Sequence, residues 1–412
     1  MSHRMAFSEF RFVVAASFAL ALIAAFDPVT VQARAAAAAG LPSIVHATAG
    51  DALSSASAHA ISGLAFDDAL APEGSVWSGQ KVVVDGAQGD FFGWSVAIDG
   101  PTALVGAYGV TSNGQEQQGA VYVFTQSNGI WTQTATLTAN DGHAFDIFGS
   151  EVSISGTVAA IGAYQYNHSH GVVYVFTGSG SSWTQKAELV ADDGAANDCL
   201  GWSVAVANGT VLAGAPFAIV DGLQRGAVYS FAPIGGVWAQ TQKVTASDGA
   251  LGDFFGDAVA MDGSIAVIGA DSVTVNGNQV QGAAYVFDSS ASTWTQKIKL
   301  TSDDGAAFDN FGRSVAVSGS TVWVGTPYAV VNGNAFQGAV YVYEGSGADW
   351  GQTQKLTAGD GAANDFFGWS VAVSGTNAMV GANSYNDNNP GEIYAFNKSA
   401  SGWSQTQQFG SG

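Results

Sequence analysis

Pairs of aspartates recur along the chain in the pattern D-G-x-x-x-D and have the clearest capacity for chemistry. Calcium prefers oxygen ligands of this kind and takes about 6–8 of them. Extra acids in two loops make the candidate ligands Asp192, Asp193, Asp198, Asp303, Asp304 and Asp309. The six pairs are Asp85 with Asp90, Asp141 with Asp146, Asp193 with Asp198, Asp248 with Asp253, Asp304 with Asp309, and Asp360 with Asp365.

The same loops have a structural interpretation. The first aspartate can form an Asx turn over the following glycine, and the second can hold the backbone before the next strand. Repetition in all six copies, whatever their surroundings, favours structure over metal binding. We therefore predict that no cofactor is required, and calcium is the alternative.

Other catalytic groups are sparse. His168 and His170 share one loop without a third ligand, and the single cysteine, Cys199, occupies a repeat position held elsewhere by Phe, Ile or Asn. No nucleophile elbow, phosphate-binding loop or zinc spacing is present in the sequence. The sequence therefore favours a protein that is not an enzyme.

The composition of the chain excludes one class of partner and one class of protein. The 412 residues contain 33 acids and 12 bases, for a formal net charge of -21, so nucleic-acid phosphates would be repelled. Hydrophobic residues reach 47%, which excludes a disordered chain.

The N-terminus has the pattern of a secretory signal peptide over residues 1–33. Arg4 and Arg11 precede an apolar run that is shorter than the about 20 residues needed to span a bilayer, and Val31-Gln32-Ala33 is typical of a cleavage site. We expect an exported protein, secreted or in the cell envelope (the periplasm included), with no membrane span after cleavage. Residues 34–76 form a flanking segment.

Tryptophans recur at near-constant spacing and mark internal repeats. Each unit contains runs that predict four short strands, with polar-Gly pairs at the tight hairpin between strands one and two. In the unit opening at Trp294, alternation places Gln296, Ile298 and Leu300 on the tryptophan's face. The tryptophans are Trp77, Trp131, Trp183, Trp238, Trp294, Trp350 and Trp403.

Such units cannot bury both sheet faces alone, so we predict an all-β propeller of four-stranded antiparallel blades over residues 77–412. The units start near 77, 131, 183, 238, 294 and 350, and residues 403–409 form a closing strand. Six blades are expected, with the Trp77 strand surplus or displaced. The alternative is a seventh blade built partly from residues 41–76.

The units resemble the FG-GAP repeats of integrin α-subunit propellers and their bacterial relatives. Phe-Gly precedes strand one in five copies and Leu200-Gly201 in the sixth; Gly214-Ala215-Pro216 is the fullest copy of the second signature. In that family, calcium loops read D-x-D-x-D-G-x-x-D between strands one and two, where this chain has tight turns. The resemblance therefore implies no calcium site of that type. The Phe-Gly copies are Phe92-Gly93, Phe148-Gly149, Phe255-Gly256, Phe311-Gly312 and Phe367-Gly368.

The resemblance also implies ligand recognition on the face that carries the loops from strand four to strand one and from strand two to strand three. The second set of loops varies between units, as binding loops do. Aromatic residues cluster in both sets, and blade packing is the alternative role for them. The candidate ligand-binding residues are Tyr108, Tyr164, Tyr166, Phe217, Tyr328, Tyr385, Trp94, Trp202 and Trp369.

We thus expect a monomeric adhesion or recognition module that binds a protein or glycan. The alternatives are a propeller hydrolase or lyase acting on polysaccharide, and a structural repeat protein of the cell envelope. Two acids converging with a basic residue in the central mouth would favour the enzyme, and an acidic, aromatic mouth would favour binding.

Overall fold

The computed structural model describes residues 45–47, 80–82, 87, 89–290, 293–383 and 391–410. Two short strands, β1 (Val45–Ala47) and β2 (Gln80–Val82), pair in parallel as a separate sheet. β1 and β2 are therefore not part of the sheet of any blade. The predicted signal peptide and Trp77 lie outside the described residues.

Six four-stranded antiparallel blades follow in chain order, numbered here 1 to 6. Blades 1 to 3 contain β3 (Phe92–Asp99), β4 (Thr102–Ala107), β5 (Ala120–Ser127) and β6 (Ile130–Leu137); β7 (Glu151–Ser155), β8 (Val158–Ala163), β9 (Val172–Ser179) and β10 (Ser182–Leu189); β11 (Ser203–Ala207), β12 (Thr210–Ala215), a small hairpin of β13 (Ile219–Val220) and β14 (Leu223–Gln224), β15 (Ala227–Ile234) and β16 (Val237–Val244).

Blades 4 to 6 repeat the same meander. They contain β17 (Ala258–Asp262), β18 (Ile265–Ala270), β19 (Ala283–Ser290) and β20 (Thr293–Leu300); β21 (Ser314–Ser318), β22 (Thr321–Thr326), β23 (Ala339–Ser346) and β24 (Asp349–Leu356); β25 (Phe367–Ser374), β26 (Asn377–Ala382), β27 (Glu392–Ser399) and β28 (Gly402–Gly410). One turn, α1 (Tyr166–Ser169), lies in blade 2 between its second and third strands, and its last three residues have the positive φ of a left-handed backbone.

The core lies between blades rather than within them. Six apolar clusters fill the six junctions, one for each pair of neighbours. The cluster that closes the ring joins Phe92, Val96 and Trp131 of blade 1 to Met379 and Phe409 of blade 6. Six blades with six junctions form a closed ring, which confirms the six-bladed prediction over the seven-bladed one.

The two glycine signatures meet at each junction. A Cβ on Gly325, at the end of strand two in blade 5, would lie 2.0 Å from the carbonyl oxygen of Gly368 in blade 6. Gly368 also has φ of +90°, a left-handed conformation that favours glycine. The preceding Phe367 is buried against Tyr394 and Phe396. The Phe-Gly pair thus fills the junction with a ring and lets two backbones touch.

The outer strands correct one expectation. In blade 4 the pairing of β20 with β19 shifts between Val286 and Phe287, which marks a β-bulge. Trp294 packs in the junction with blade 3, whereas Ile298 and Leu300 pack in the junction with blade 5. The prediction that these side chains share one face is therefore wrong, because the bulge shifts the alternation by one residue. The same shift recurs in every blade.

The glycine contact gives a stability prediction. Gly325→Ala should lower the free energy of unfolding by about 3 kcal/mol or more, because neither backbone can retreat from the added methyl group. Urea unfolding measures the loss. The control is Gly351→Ala in the same blade, where a Cβ would have no atom within 4 Å and φ is not positive; it should change stability by less than about 0.5 kcal/mol. Equal effects of the two changes would refute the contact.

Candidate functional site

The loop face is the surface formed by two sets of loops: cross loops, from strand four of one blade to strand one of the next, and mid loops, from strand two to strand three. The two sets are bonded through their backbones. At the junction of blades 5 and 6, Asn364, Phe366 and Phe367 donate N–H groups to carbonyls of the preceding mid loop at 2.9–3.0 Å. Equivalent bonds recur at the four earlier junctions from blade 1 to blade 5. The loop face is therefore held by main-chain pairing.

The mid loops vary less than the sequence suggested. Three of them, in blades 1, 4 and 5, contain the same tight Asn-Gly turn closed by a β-bridge. These turns are Asn113-Gly114, Asn276-Gly277 and Asn332-Gly333. Backbone pairing with the cross loops gives these loops a structural duty, so variation alone does not identify the binding residues.

The second aspartate of each pair holds its own loop. Its carboxylate accepts the backbone N–H of the residue three positions earlier, at 2.5–2.9 Å, in all six copies. Burial raises the pKa of the carboxyls of Asp146, Asp198, Asp253, Asp309 and Asp365, and the backbone N–H partly offsets this. This part of the structural interpretation agrees with the contacts.

In blades 3 to 6 the first aspartate bonds to side chains rather than forming the expected Asx turn. In blade 4, Asp248 accepts the Tyr285 hydroxyl at 3.0 Å and the Lys299 ammonium at 2.6 Å. Burial alone would raise the pKa of Asp248, but the bonds from Lys299 and Tyr285 outweigh it and lower the pKa. The same triad occurs in blades 3 and 5, as Asp193–Tyr229–Lys243 and Asp304–Tyr341–Lys355.

The calcium candidates are therefore largely committed to bonds within the protein. Asp193, Asp198, Asp304 and Asp309 make the contacts just described, while Asp192 and Asp303 are exposed. Within the described ranges, no three His, Cys, Asp or Glu side chains are grouped so as to hold a metal ion. That these loops do not require calcium stays a prediction, and the experiment that tests it is given at the end of this subsection.

One residue of each blade, directly after the Phe-Gly or Leu-Gly pair, defines the mouth of the propeller. Arg313 donates to Asp257 of the preceding blade at 3.1 Å and lies 5.2 Å from the ring centre of Trp369 in the next. Contacts between equivalent positions of three successive blades place this position near the axis. The six mouth residues are Trp94, Ser150, Trp202, Asp257, Arg313 and Trp369.

The mouth also brings two acids near the arginine. Burial raises the pKa of Asp257 to about 7; Arg313 opposes the rise, and Asp271 adds to it. Asp271 accepts hydrogen bonds from Asn310 at 3.2 Å and Ser272 at 2.9 Å. The mouth is thus aromatic on one side and charged on the other.

The predicted aromatic residues form half-buried groups around this mouth. Tyr108 stacks on Phe91 with ring centres 4.6 Å apart and contacts Trp94 at 4.8 Å. Trp202 lies 4.7 Å from Tyr164 and 5.6 Å from Phe217.

A further group surrounds Tyr328, which contacts Phe366 at 5.4 Å and Trp369 at 6.1 Å. Tyr166 lies away from these groups, in α1 of blade 2. Tyr385 lies outside the described residues. The structure therefore gathers most of the candidates, but as rings packed on one another.

The sequence analysis missed the most exposed rings of the loop face. Phe145, Phe308 and Phe336 are 47%, 58% and 41% exposed. All three have positive φ, of 68°, 68° and 56°, which is unusual for a bulky residue. Phe145 and Phe308 occupy the cross-loop position before the second aspartate, where the other copies have residues that tolerate this backbone: Gly89, Asn197, Gly252 and Asn364. The presence of Gly or Asn at this position in four copies and of phenylalanine in two was the sequence signal that could have identified Phe145 and Phe308.

A closed ring of six four-stranded blades defines this protein as a six-bladed β-propeller. The FG-GAP repeat family model matches six segments, most of which begin on the outer strand of one blade and end on the third strand of the next. The chain therefore belongs to the FG-GAP repeat family. The matched residues are 82–124, 131–176, 183–231, 238–287, 294–343 and 350–396.

No curated protein matches the sequence. No helix of the described segments is long and apolar enough to cross a membrane.

The aspartate contacts predict that calcium will not stabilise the fold. Thermal unfolding with a chelator and with millimolar calcium should give the same midpoint, because the loop carboxylates are already bonded by the protein. Differential scanning calorimetry at matched ionic strength measures this. A calcium-dependent rise of several degrees would refute the structural role of the loops.

The mouth predicts a pH dependence. A carboxyl in the unfolded chain has a pKa near 4, so between about pH 4 and 7 the folded state holds the Asp257 proton more tightly. This contribution to stability is full below the unfolded pKa and is lost as pH rises through the folded one. The wild type should therefore have a higher free energy of unfolding at about pH 5.5 than at about pH 8, and Asp257→Asn should reduce this difference.

Urea unfolding at the two pH values measures that excess. The control is Asp221→Asn, which changes an exposed carboxylate paired with Arg225. Asp221→Asn should keep the wild-type pH dependence. An unchanged pH dependence in Asp257→Asn would contradict the assignment.

Proposed function

We propose that this protein is an exported, non-enzymatic recognition module that binds a protein or glycan ligand across the loop face. The observation that carries the proposal is the exposure of Phe145, Phe308 and Phe336 on that face in a backbone conformation unfavourable to phenylalanine. A left-handed backbone costs such a residue about 1–3 kcal/mol, and strained residues cluster at ligand sites. For Phe145 and Phe308, stability alone would favour the Gly or Asn found at the same position of the other copies.

The chemistry of the face supports a ligand with apolar or sugar surface and positive charge. Exposed rings stack on sugars or fill apolar pockets of a protein partner. The carboxylates of the cross loops and the mouth give the same face an acidic character, which attracts cations. Export, in secreted form or to the cell envelope, is part of the proposal and rests on the pattern of residues 1–33.

A polysaccharide hydrolase or lyase is the second candidate, because the mouth holds two acids near one arginine. Asp257, with its raised pKa, has the property of a general acid. However, the side chains of Asp257 and Arg313 are only 12% and 15% exposed and bond to each other. That pairing favours a role in packing the mouth over catalysis, so we place recognition first.

The test compares the wild type with Phe308→Asn on an array of glycans and matrix proteins. The change should abolish or strongly weaken the wild-type signals, and it should raise the free energy of unfolding by about 0.5–1 kcal/mol because asparagine tolerates the backbone better. Phe145→Asn should act in the same direction. Tyr108→Ala and Tyr328→Ala should also weaken binding if the packed rings present the ligand surface.

Ile130→Asn is the matched control, since this exposed residue lies at the hairpin between strands three and four, away from the loop face. It should leave every array signal unchanged. Retention of binding in both phenylalanine variants would refute the loop face as the ligand site. Release of reducing sugar from an arrayed glycan, lost in Asp257→Asn, would support the enzyme instead.

A further inference from the structure

One position in each blade decides what neutralises the first aspartate of the cross loop. It is the outer-strand residue paired in register with the tyrosine of strand three. In blades 3, 4 and 5 it is a lysine: Lys243 opposite Tyr229, Lys299 opposite Tyr285, and Lys355 opposite Tyr341. Each ammonium lies 2.6–2.7 Å from its aspartate and 5.1–5.4 Å from the centre of the tyrosine ring.

In blade 6 a glutamine amide takes the place of the lysine ammonium. Gln408 stands opposite Tyr394 and donates its Nε2 to Asp360 and to Glu392, each at 2.6 Å. A side-chain nitrogen thus faces the aspartate in blades 3 to 6. The aspartate of blade 1, Asp85, lies outside the described residues.

Blade 2 differs in the sign of this residue. Glu188 stands opposite Tyr174, so a carboxylate takes the register position that holds the nitrogen in blades 3 to 6. Gln185 donates its Nε2 to this carboxylate at 3.2 Å. Burial raises the pKa of Glu188, and the neighbouring Asp141 raises it further. A cation between the two side chains would relieve the repulsion that raises the pKa of Glu188.

The polar atoms that make well-formed hydrogen bonds in the other blades are poorly paired here. Tyr174 is fully buried, and neither its hydroxyl nor Asp141 Oδ1 makes a hydrogen bond of ordinary geometry, although the two groups are close enough for Asp141 to raise the pKa of Tyr174. In blades 3 to 5 the corresponding hydroxyl donates to the aspartate at 2.6–3.0 Å. Buried polar atoms without a partner are costly, which points to a ligand at this place.

The other charged groups nearby do not supply the missing cation. Lys186 occupies the bulge position, whose equivalent in blade 4, Lys297, pairs with Asp288 rather than with the loop aspartate. His143 lies 3.8 Å from Asp146, the second aspartate of the loop. Tyr166, in α1, packs against the apolar cluster that contains Tyr174. Burial raises the pKa of Tyr166, and Asp141 and Glu188 add to the rise.

We propose that Asp141, Glu188, Tyr174 and Tyr166 form a site for a primary ammonium group, supplied by a lysine side chain of a protein ligand. The lysines of blades 3 to 5 show the geometry that such a group adopts between an aspartate and a tyrosine ring. Two carboxylates and two phenols supply six oxygens at most, the lower limit of the about 6–8 that calcium takes. Among the described residues no three His, Cys, Asp or Glu side chains are grouped so as to hold a metal ion, so ammonium fits better than calcium. The site deepens the proposed function, on which it rests, by naming a group of the ligand.

The probe is the peptide acetyl-Gly-Lys-Gly-amide, titrated into the full chain and followed by NMR. Its norleucine counterpart, which lacks the ammonium, should not bind. Glu188→Lys places the chain's own ammonium at the site and should weaken peptide binding at least about tenfold. The thermal midpoint of this variant should equal or exceed that of the wild type, which shows that it folds.

A gain of function provides the reciprocal test. Lys299→Glu gives blade 4 the aspartate, tyrosine and glutamate of blade 2, with Val273 in place of Tyr166, and should add a second equivalent of bound peptide. Lys297→Glu makes the same charge change two positions away and should add none, which separates the site from net charge.

Three results would overturn the inference: equal affinity in wild type and Glu188→Lys, equal binding of the norleucine peptide, or displacement of the lysine peptide by millimolar calcium at constant ionic strength. The two proposals fail separately. If array binding does not depend on Phe308, the proposed function fails, but peptide binding and its dependence on Glu188 are unaffected. If peptide binding does not depend on Glu188, this inference fails, but array binding through Phe308 can persist.

Discussion

The close contact of backbones between neighbouring blades is the constraint on which the rest of the structure depends. At the junction of blades 5 and 6, Gly325 near the end of strand two touches the carbonyl of Gly368 at the start of strand one, and no side chain fits between them. Ser314 donates its hydroxyl to that same carbonyl at 2.8 Å. This approach lets Phe367 fill the junction and brings the mid loop within bonding distance of the cross loop. The family signature is thus a packing requirement repeated around the ring.

The same pairing shapes the loop face. Backbone bonds between the two sets of loops impose positive φ on positions that then project outward. Glycine and asparagine occupy some of these positions, whereas Phe145, Phe308 and Phe336 present exposed rings. A rigid scaffold therefore carries aromatic groups at fixed places, and this preorganisation limits the entropy lost when a ligand binds.

The aspartates show how one repeated loop acquires different duties. The second aspartate always holds its own turn, so it is part of the scaffold. The first aspartate depends on a partner from the outer strand, and that partner changes between blades. Lysine gives blade 4 an internal ion pair, whereas Glu188 leaves blade 2 with an excess of negative charge. Comparison of copies within one chain thus separates scaffold from site.

The sequence by itself determined the repeat, the four strands of each unit, the propeller and the structural duty of the second aspartates, because these follow from local alternation, turn residues and copy number. Only the tertiary structure decided which face each outer-strand residue occupies. The bulge that moves Leu300 to a different junction from Trp294 arises from pairing with β19, not from local pattern. The partners of Asp141 and Asp248, and the exposure of Phe308, were equally hidden, because a residue's environment in a propeller is set by a neighbouring blade distant in sequence.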